Sequence, residues 1–173
     1  MTPETEAARS TAEVARAYFD RVAARDIEGM VEHWEPGGVG RIYGLVELRA
    51  PDSYREWFAN LFAAFPDFSF EVVDVTAEED RAAVRWRATG TFNGDASFEG
   101  MLPNGAEVEM HGCDVVTIRN GKLISNHAYT SGTELARQLG TLPPQGSLPE
   151  RTLLGLLNLR TRAAEAIRER RGR

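Results

Sequence analysis

Several features are scarce in this chain of 173 residues, and each absence disfavours a class of protein. Cys113 is the only cysteine, so no internal disulfide can form and a reducing compartment such as the cytoplasm is expected. No run of 18 apolar residues occurs, and the first residues lack the basic start and apolar run of a signal peptide. The net charge of -6 argues against nucleic acid as a partner.

The motifs of nucleotide, nucleophilic and metal chemistry are missing as well. Gly37-Gly38-Val39-Gly40 lacks the Lys-Ser/Thr pair and the preceding strand of a phosphate loop. No nucleophile elbow occurs in the sequence. His111 and Cys113 would bind a metal only with further ligands that the sequence does not supply. We therefore expect neither a metal nor a cofactor.

The residues that are present, 42% of them hydrophobic and 27% charged, suit one globular domain. Helical spacing of apolar residues predicts a helix or helix pair over residues 11–34, begun by a cap at Ser10 or Thr11 and restarted at Asp26. Pro36-Gly37-Gly38 is predicted to end this region. A further helix is predicted over residues 51–65, which have aromatic and aliphatic side chains on one broad face.

From Phe68 onward the spacing becomes alternating, as is typical of strands. The predicted strands cover residues 68–75, 81–92, 107–119 and 122–130, with a possible strand or irregular lip at 41–48 and a short closing helix at 131–139. Helices followed by a meander indicate an α+β fold. We expect a curved, mostly antiparallel sheet wrapped around the N-terminal helices.

The two ends of the chain differ from its body. Residues 1–9 are predicted to be a flexible N-terminus, and residues 141–150 a Pro- and Gly-rich linker. Residues 151–173 then predict a basic amphipathic helix. This helix is expected to pack on the body or on a partner subunit, with a membrane surface or an acidic partner as the alternative.

The strand predicted over residues 107–119 has one carboxylate on its apolar side. Because strand side chains alternate, Asp114 shares a side with Met110, Val116 and Ile118 and should point into a core or a pocket. Asn120-Gly121 predicts a two-residue hairpin turn, which pairs Arg119 with Lys122.

Continuing this register without a bulge places Asp114 opposite His127, with Cβ atoms about 4.5–5.5 Å apart. It also places Gly112 opposite Tyr129, which leaves space for a ligand. The hypothesis is an acid–base dyad of Asp114 and His127 that moves a proton beside a carbonyl group. The alternative is a buried ion pair that only fixes the strand register.

Four sequence segments together carry a family resemblance. They are Phe65-Pro66-Asp67-Phe68, residues 83–91 (AVRWRATGT), residues 98–105 (FEGMLPNG) and residues 111–124 (HGCDVVTIRNGKLI). This set resembles the SnoaL-like polyketide cyclase family of the nuclear-transport-factor-like superfamily. The similarity covers residues 10–140. It implies a cystatin-like cone with an interior pocket, with Asp114 as the acid–base aspartate. The family often has Glu-x-Trp where Ser125 and His127 stand here.

The family also tends to have a histidine at the position of Phe92. The resemblance is therefore compatible with His127 taking the role of that histidine from the other side of the pocket. As candidate ligand contacts, alongside a plain core role, we name Tyr129 and Tyr18 as positioning donors and Tyr43, Trp57, Trp86 and Met110 as wall residues. The superfamily often dimerises through its outer sheet face, which predicts a homodimer here.

Two functions remain open from the sequence. The first is a cofactor-independent cyclase or isomerase type of enzyme acting on a small hydrophobic carbonyl compound such as a polyketide, with the lyase, isomerase or hydrolase class unresolved. The second is a non-catalytic module of the same fold that binds a small molecule or serves in assembly.

Overall fold

A computed structural model describes residues 10–171, without the side chains of residues 166 and 169–171, and it has the α+β architecture expected from the sequence. The N-terminus predicted as flexible, residues 1–9, lies outside the described residues. The elements are α1 (Thr11–Ala23), α2 (Ile27–Glu32), β1 (Trp34–Ile42), β2 (Val46–Arg49), α3 (Asp52–Ala64), β3 (Ser69–Glu78), β4 (Arg81–Thr91), β5 (Glu107–Arg119), β6 (Lys122–Thr130), α4 (Gly132–Gln138) and α5 (Leu148–Arg171).

The first two helices begin at the predicted caps. The Ser10 hydroxyl accepts a hydrogen bond from the Glu13 N–H, and the Glu13 carboxylate accepts one from the Ser10 N–H at 2.7 Å, which makes a capping box. Asp26 caps α2 by accepting the Gly29 N–H at 2.9 Å. The apolar side of α1, which carries Tyr18 and Phe19, is buried against the sheet.

The six strands form one sheet in the order β2-β1-β6-β5-β4-β3, and every neighbouring pair is antiparallel except β1 and β6. The prediction that Pro36-Gly37-Gly38 ends the first region is wrong, because these residues lie inside β1. The β1–β6 register is irregular between Trp34 and Val39, so this strand tolerates the proline at a point of interrupted pairing. The predicted lip at 41–48 is the hairpin between β1 and β2.

The core lies between the concave face of the sheet and helices α1 and α3. Phe58, Leu61 and Phe62 of α3 are buried there, as the broad apolar face of that helix predicts. No helix of the described residues is long and apolar enough to cross a membrane.

The last helix begins at Leu148, three residues before the predicted start. Ser147 caps it by accepting the Glu150 N–H at 3.3 Å, and Pro149 is compatible with the first helical turn because its missing N–H is not needed there. Every described side chain of α5 from Arg151 onward is exposed.

Candidate functional site

A largely apolar cavity opens between the concave sheet face and the helices. Its volume is about 160 Å³. A cavity of about 150 Å³ can hold benzene, so a small organic ligand fits. The walls come from α1, α3, α4, the β1–β2 hairpin and strands β3, β4, β5 and β6. Asp114 is the one acidic residue among the lining residues.

The Asp114 carboxylate is held by a donor on each oxygen. The indole Nε1–H of Trp86 on β4 donates to Oδ1 at 2.7 Å, and the amide Nδ2 of Asn126 on β6 donates to Oδ2 at 2.6 Å. All three residues are at least nine-tenths buried and line the cavity. The two donors therefore fix the direction in which the carboxylate faces.

Gly112 makes the Trp86 contact possible. The two residues pair across β4 and β5, and the Trp86 ring lies directly over the Gly112 Cα. A Cβ at position 112 would overlap the ring near its Cζ2 atom. The space that the sequence assigned to a ligand is thus filled by the indole that binds Asp114. Glycine at this position is required for close approach rather than for backbone freedom.

Burial raises the pKa of the Asp114 carboxyl above its ordinary value of 3.8. The hydrogen bonds from Asn126 and Trp86 lower this pKa, but the loss of solvation is the larger effect. An apolar setting thus makes the ionised group a stronger base than an aspartate in water. Once protonated, the same group can return the proton as a general acid.

Two tyrosine hydroxyls lie near this carboxylate. Tyr18 of α1 and Tyr54 of α3 are both buried and line the cavity. Burial raises the pKa of each hydroxyl, and the charge of Asp114 adds to the rise in both. The Tyr54 hydroxyl lies over Gly40, whose strand partner is Asn126. Both phenols therefore remain protonated at neutral pH and can donate hydrogen bonds at the Asp114 end of the cavity.

The side-chain amide of Asn126 forms a hydrogen bond through its nitrogen but not through its oxygen. Its Nδ2 donates to Asp114, whereas its buried Oδ1 has no hydrogen-bond partner among the described residues. An ionised Asp114 imposes this orientation, because an amide oxygen turned toward a carboxylate would be repelled. The unused acceptor is a cost in stability that the carboxylate imposes on its neighbour.

The predicted pairing of Asp114 with His127 is wrong. The two-residue turn is present, with positive φ at Asn120 and Gly121, and Arg119 pairs with Lys122 as expected. A bulge at Ile124 then shifts the register by one residue, so that Thr117 pairs with Ser125. A shift of one residue reverses the side to which each β6 side chain points.

As a result, His127 faces outward opposite Val115, and Asp114 pairs with Ala128. His127 Nδ1 lies 2.8 Å from the Tyr43 hydroxyl. The bulge also turns Tyr129 outward, where its ring stacks on Tyr43 with centroids 4.9 Å apart. Neither tyrosine is among the cavity-lining residues, so neither can position a ligand there.

The remaining predicted residues lie where a ligand would contact them. Tyr18, Trp57, Trp86 and Met110 are in the cavity wall, although a role in binding stays a prediction. Among the described residues, no group of three or more His, Cys, Asp or Glu side chains is placed to hold a metal ion.

Sequence reasoning missed Asn126 and Tyr54. A register without a bulge places Asn126 on the outer side of the sheet. Tyr54 lies on the apolar face of α3, where the sequence pattern predicts only core residues. Leu123 and Ile124 are adjacent apolar residues in a strand that should alternate, and a bulge there reverses the side of every later residue in the strand. This signal is not specific, because Val115 and Val116 are also adjacent and β5 pairs with β4 there without a bulge.

Comparison with known proteins gives a family match over most of the domain. A model of the SnoaL-like domain matches residues 15–126. No functionally curated protein sequence matches the chain.

Solved structures share the fold at low sequence identity. AclR of Streptomyces galilaeus, a proposed hydroxylase, is 24% identical with a TM-score of 0.67, over 94% of this chain and 97% of that one. A proposed SnoaL-like polyketide cyclase of Jannaschia sp. CCS1 is 22% identical with a TM-score of 0.68, over 83% and 100%. IdmH of Streptomyces antibioticus, a proposed polyketide cyclase, is 20% identical with a TM-score of 0.63, over 76% and 99%.

The AclR match extends into α5. This helix has 24 residues, so the 149 residues outside it make up 86% of the chain, which is less than the matched 94%. Part of α5 therefore lies within the matched region.

Proposed function

The chain belongs to the SnoaL-like domain family, and from this premise we propose that it is a cofactor-independent acid–base catalyst. Its substrate would be a small hydrophobic carbonyl compound such as a polyketide. Asp114 would transfer the proton, and Tyr18 and Tyr54 would donate hydrogen bonds to the carbonyl oxygen. The observation that carries the proposal is a single buried carboxylate, held by two donors, in a largely apolar cavity.

The proposed step moves one proton and creates no net charge in the cavity beyond that of the carboxylate. The ionised Asp114 removes a proton from the carbon beside the carbonyl, and the electron pair of that C–H bond forms the enolate. The negative charge moves from the carboxylate to the enolate oxygen, where a phenol hydrogen bond stabilises it. The protonated Asp114 then returns the proton in one of two ways. Return to another carbon of the conjugated enolate isomerises the substrate. In a cyclisation, the enolate carbon first attacks a second carbonyl group of the same substrate, the electron pair of that C=O bond moves to its oxygen, and Asp114 protonates the resulting alkoxide.

The two donors on Asp114 favour this step in a particular way. A carboxylate that must turn to find its substrate loses rotational freedom in the transition state, whereas Asp114 is already held by Trp86 and Asn126. Neither donor supplies the reacting proton, since indole and amide N–H groups are far weaker acids than a carboxyl. Both are therefore positioning residues.

Proton abstraction can be tested without the natural substrate. We would incubate the protein with 2-tetralone, a small bicyclic ketone, in D₂O and follow loss of the α-proton signals by NMR, after subtracting exchange in buffer alone. Asp114→Asn should reduce the protein-dependent exchange by about 10²–10⁴-fold, the usual contribution of a general base. Asp20→Asn, which changes an exposed carboxyl of α1, is the matched control and should leave exchange unchanged.

The same experiment separates a catalyst from a binding module. Quenching of tryptophan fluorescence by 2-tetralone reports binding, because Trp57 and Trp86 line the cavity. Binding with no exchange above buffer would contradict the catalytic proposal and support a non-catalytic pocket protein. Exchange that survives Asp114→Asn would assign the base to another residue. The expectation that the protein works in a reducing compartment stays a prediction from its single cysteine.

A further inference from the structure

Trp34, the first residue of β1, lies behind the two phenols that line the cavity. Its ring centroid is 6.0 Å from that of Tyr18, which it meets edge-on, and 4.6 Å from that of Tyr54. Trp34 is buried in the core and is not among the cavity-lining residues. A ligand would therefore contact Tyr18 and Tyr54, and any effect of Trp34 on the ligand would pass through these phenols.

The indole N–H of Trp34 is an unused donor. Its Nε1 is buried and has no hydrogen-bond partner among the described residues. The other two tryptophans of the chain differ in this respect. Trp86 donates to Asp114 at 2.7 Å. Trp57 donates to Glu99 at 3.3 Å. A buried N–H without an acceptor costs free energy, so a role in the ligand complex would explain its presence at position 34.

This donor acts on the hydroxyl of Tyr18. Burial raises the pKa of the Tyr18 hydroxyl, and Trp34 lowers the same pKa, as a donor directed at the phenol oxygen does. In the free protein the interaction falls short of a direct hydrogen bond, since Nε1 has no partner among the described residues. An N–H directed at an oxygen binds it more strongly when negative charge develops there. Catalysis at Tyr18 would create such a charge.

We propose that Trp34 is a positioning residue whose indole N–H bonds the Tyr18 oxygen when Tyr18 donates to the enolate oxygen of a bound substrate. This inference rests on the proposed function, in which Tyr18 is one of the two donors. A hydroxyl that donates to an anion becomes a better acceptor itself, because hydrogen bonds in a chain polarise one another. The bond between Trp34 and Tyr18 is thus made in the transition state and not in the free protein. Such a bond raises the rate rather than the affinity for substrate.

Trp34→Phe removes the N–H and keeps an aromatic ring at this position. The rate of 2-tetralone exchange at saturating ketone should fall about tenfold, less than the loss of about 10²–10³-fold for a direct donor, because Trp34 acts through Tyr18. The ketone concentration that gives half of the maximal rate should stay the same. Trp57→Phe is the matched control, because Trp57 lines the cavity and its N–H bonds Glu99 instead. This control should change the half-saturating concentration and leave the maximal rate unchanged.

A pair of variants tests whether the effect passes through Tyr18. Tyr18→Phe lacks the hydroxyl that Trp34 would bond, so adding Trp34→Phe to it should lower the maximal exchange rate no further. If Trp34 served only the packing of the core, the two losses would multiply instead. Losses that multiply, or a Trp34→Phe protein with an unchanged maximal rate, would overturn the proposal.

NMR of the unsubstituted chain gives a test that does not depend on how Trp34→Phe folds. The chain has three tryptophans, so the indole signal of Trp34 is identified once Trp57→Phe and Trp86→Phe have assigned the other two. Binding of 2-naphthol, a flat phenol that resembles the enol of 2-tetralone, should move the Trp34 indole proton downfield, as a new hydrogen bond does. Naphthalene, which has no oxygen, should leave this signal in place, and Tyr18→Phe should abolish the shift with 2-naphthol.

The outcomes separate this inference from the proposed function. Exchange of 2-tetralone together with an unmoved Trp34 signal would overturn the role of Trp34 alone. A shift that naphthalene also produces, or that persists in Tyr18→Phe, would do the same. Absence of exchange in the unsubstituted chain would overturn the proposed function and, with it, the catalytic role of Trp34.

Discussion

At the scale of single residues, Asp114 illustrates how a buried carboxyl group reduces the stability of the protein that contains it. Its carboxylate is buried with two donors, yet the loss of water outweighs both hydrogen bonds and raises its pKa. The carboxylate also leaves the Asn126 oxygen without a partner. These stability costs are not expected of a residue selected only for packing. Such a combination is characteristic of functional sites.

Replacement of Asp114 should therefore stabilise the protein, and the gain should depend on pH. Between 3.8 and the raised pKa, the folded state keeps a proton that the unfolded state has released, so the free energy of unfolding falls as pH rises. The Asp114→Asn variant has no titrating group at this position, so its free energy of unfolding does not decrease in this way. Its Nδ2 can also donate to the Asn126 oxygen once that amide turns over. Urea denaturation should show that its advantage over the unsubstituted chain grows with pH across this window.

Asp67 is the control with the opposite sign. It accepts hydrogen bonds from the Thr91 hydroxyl and N–H, both at 2.7 Å, and these lower its pKa. Its contribution to stability is present above its ordinary pKa and is lost as pH falls through the lowered value. Asp67→Asn should therefore lose stability at neutral pH and approach the unsubstituted chain in acid. The same pH dependence of stability in Asp114→Asn and Asp67→Asn would contradict the opposite pKa shifts of these two carboxyl groups.

At the scale of elements, the alternation of side chains along a strand explains why the sequence predicts the position of Asp114 correctly and that of His127 incorrectly. The bounds of β5 and β6 and the Asn120-Gly121 turn are as expected, and parity on β5 correctly turns Asp114 inward. The alternation fails on β6 because the bulge at Ile124 shifts the pairing with β5 by one residue, and alternation alone does not predict a bulge. Because of this one extra residue, Asn126 and not His127 lies on the inward side of β6, where it contacts Asp114.

The close approach of β4 and β5 at Gly112 gives a prediction at this scale. Gly112→Ala should force the Trp86 ring away and break its bond to Asp114, since a Cβ would overlap the ring. We expect a loss of about 1–3 kcal/mol in the free energy of unfolding, typical of overpacking, measured by urea denaturation. The 2-tetralone exchange rate should fall about tenfold as the carboxylate loses its fixed position.

Gly132→Ala is the matched control for this substitution. Gly132 lies in the first turn of α4, and a Cβ there would meet no atom within 4 Å. Because alanine is the better helix former, this variant should be neutral or slightly stabilised and should keep its exchange rate. A Gly112→Ala protein with unchanged stability and exchange would show that Trp86 does not hold the carboxylate.

At the scale of the whole molecule, the fold was predictable because its signals are long and regular. The change from helical to alternating spacing near Phe68 separates the cone's helices from most of its sheet, and the structure follows it. Residues 34–42 were missed because Pro36-Gly37-Gly38 is locally a loop sequence, and only pairing with β2 and β6 makes it a strand. Local chemistry cannot reveal a partner that lies about 90 residues away.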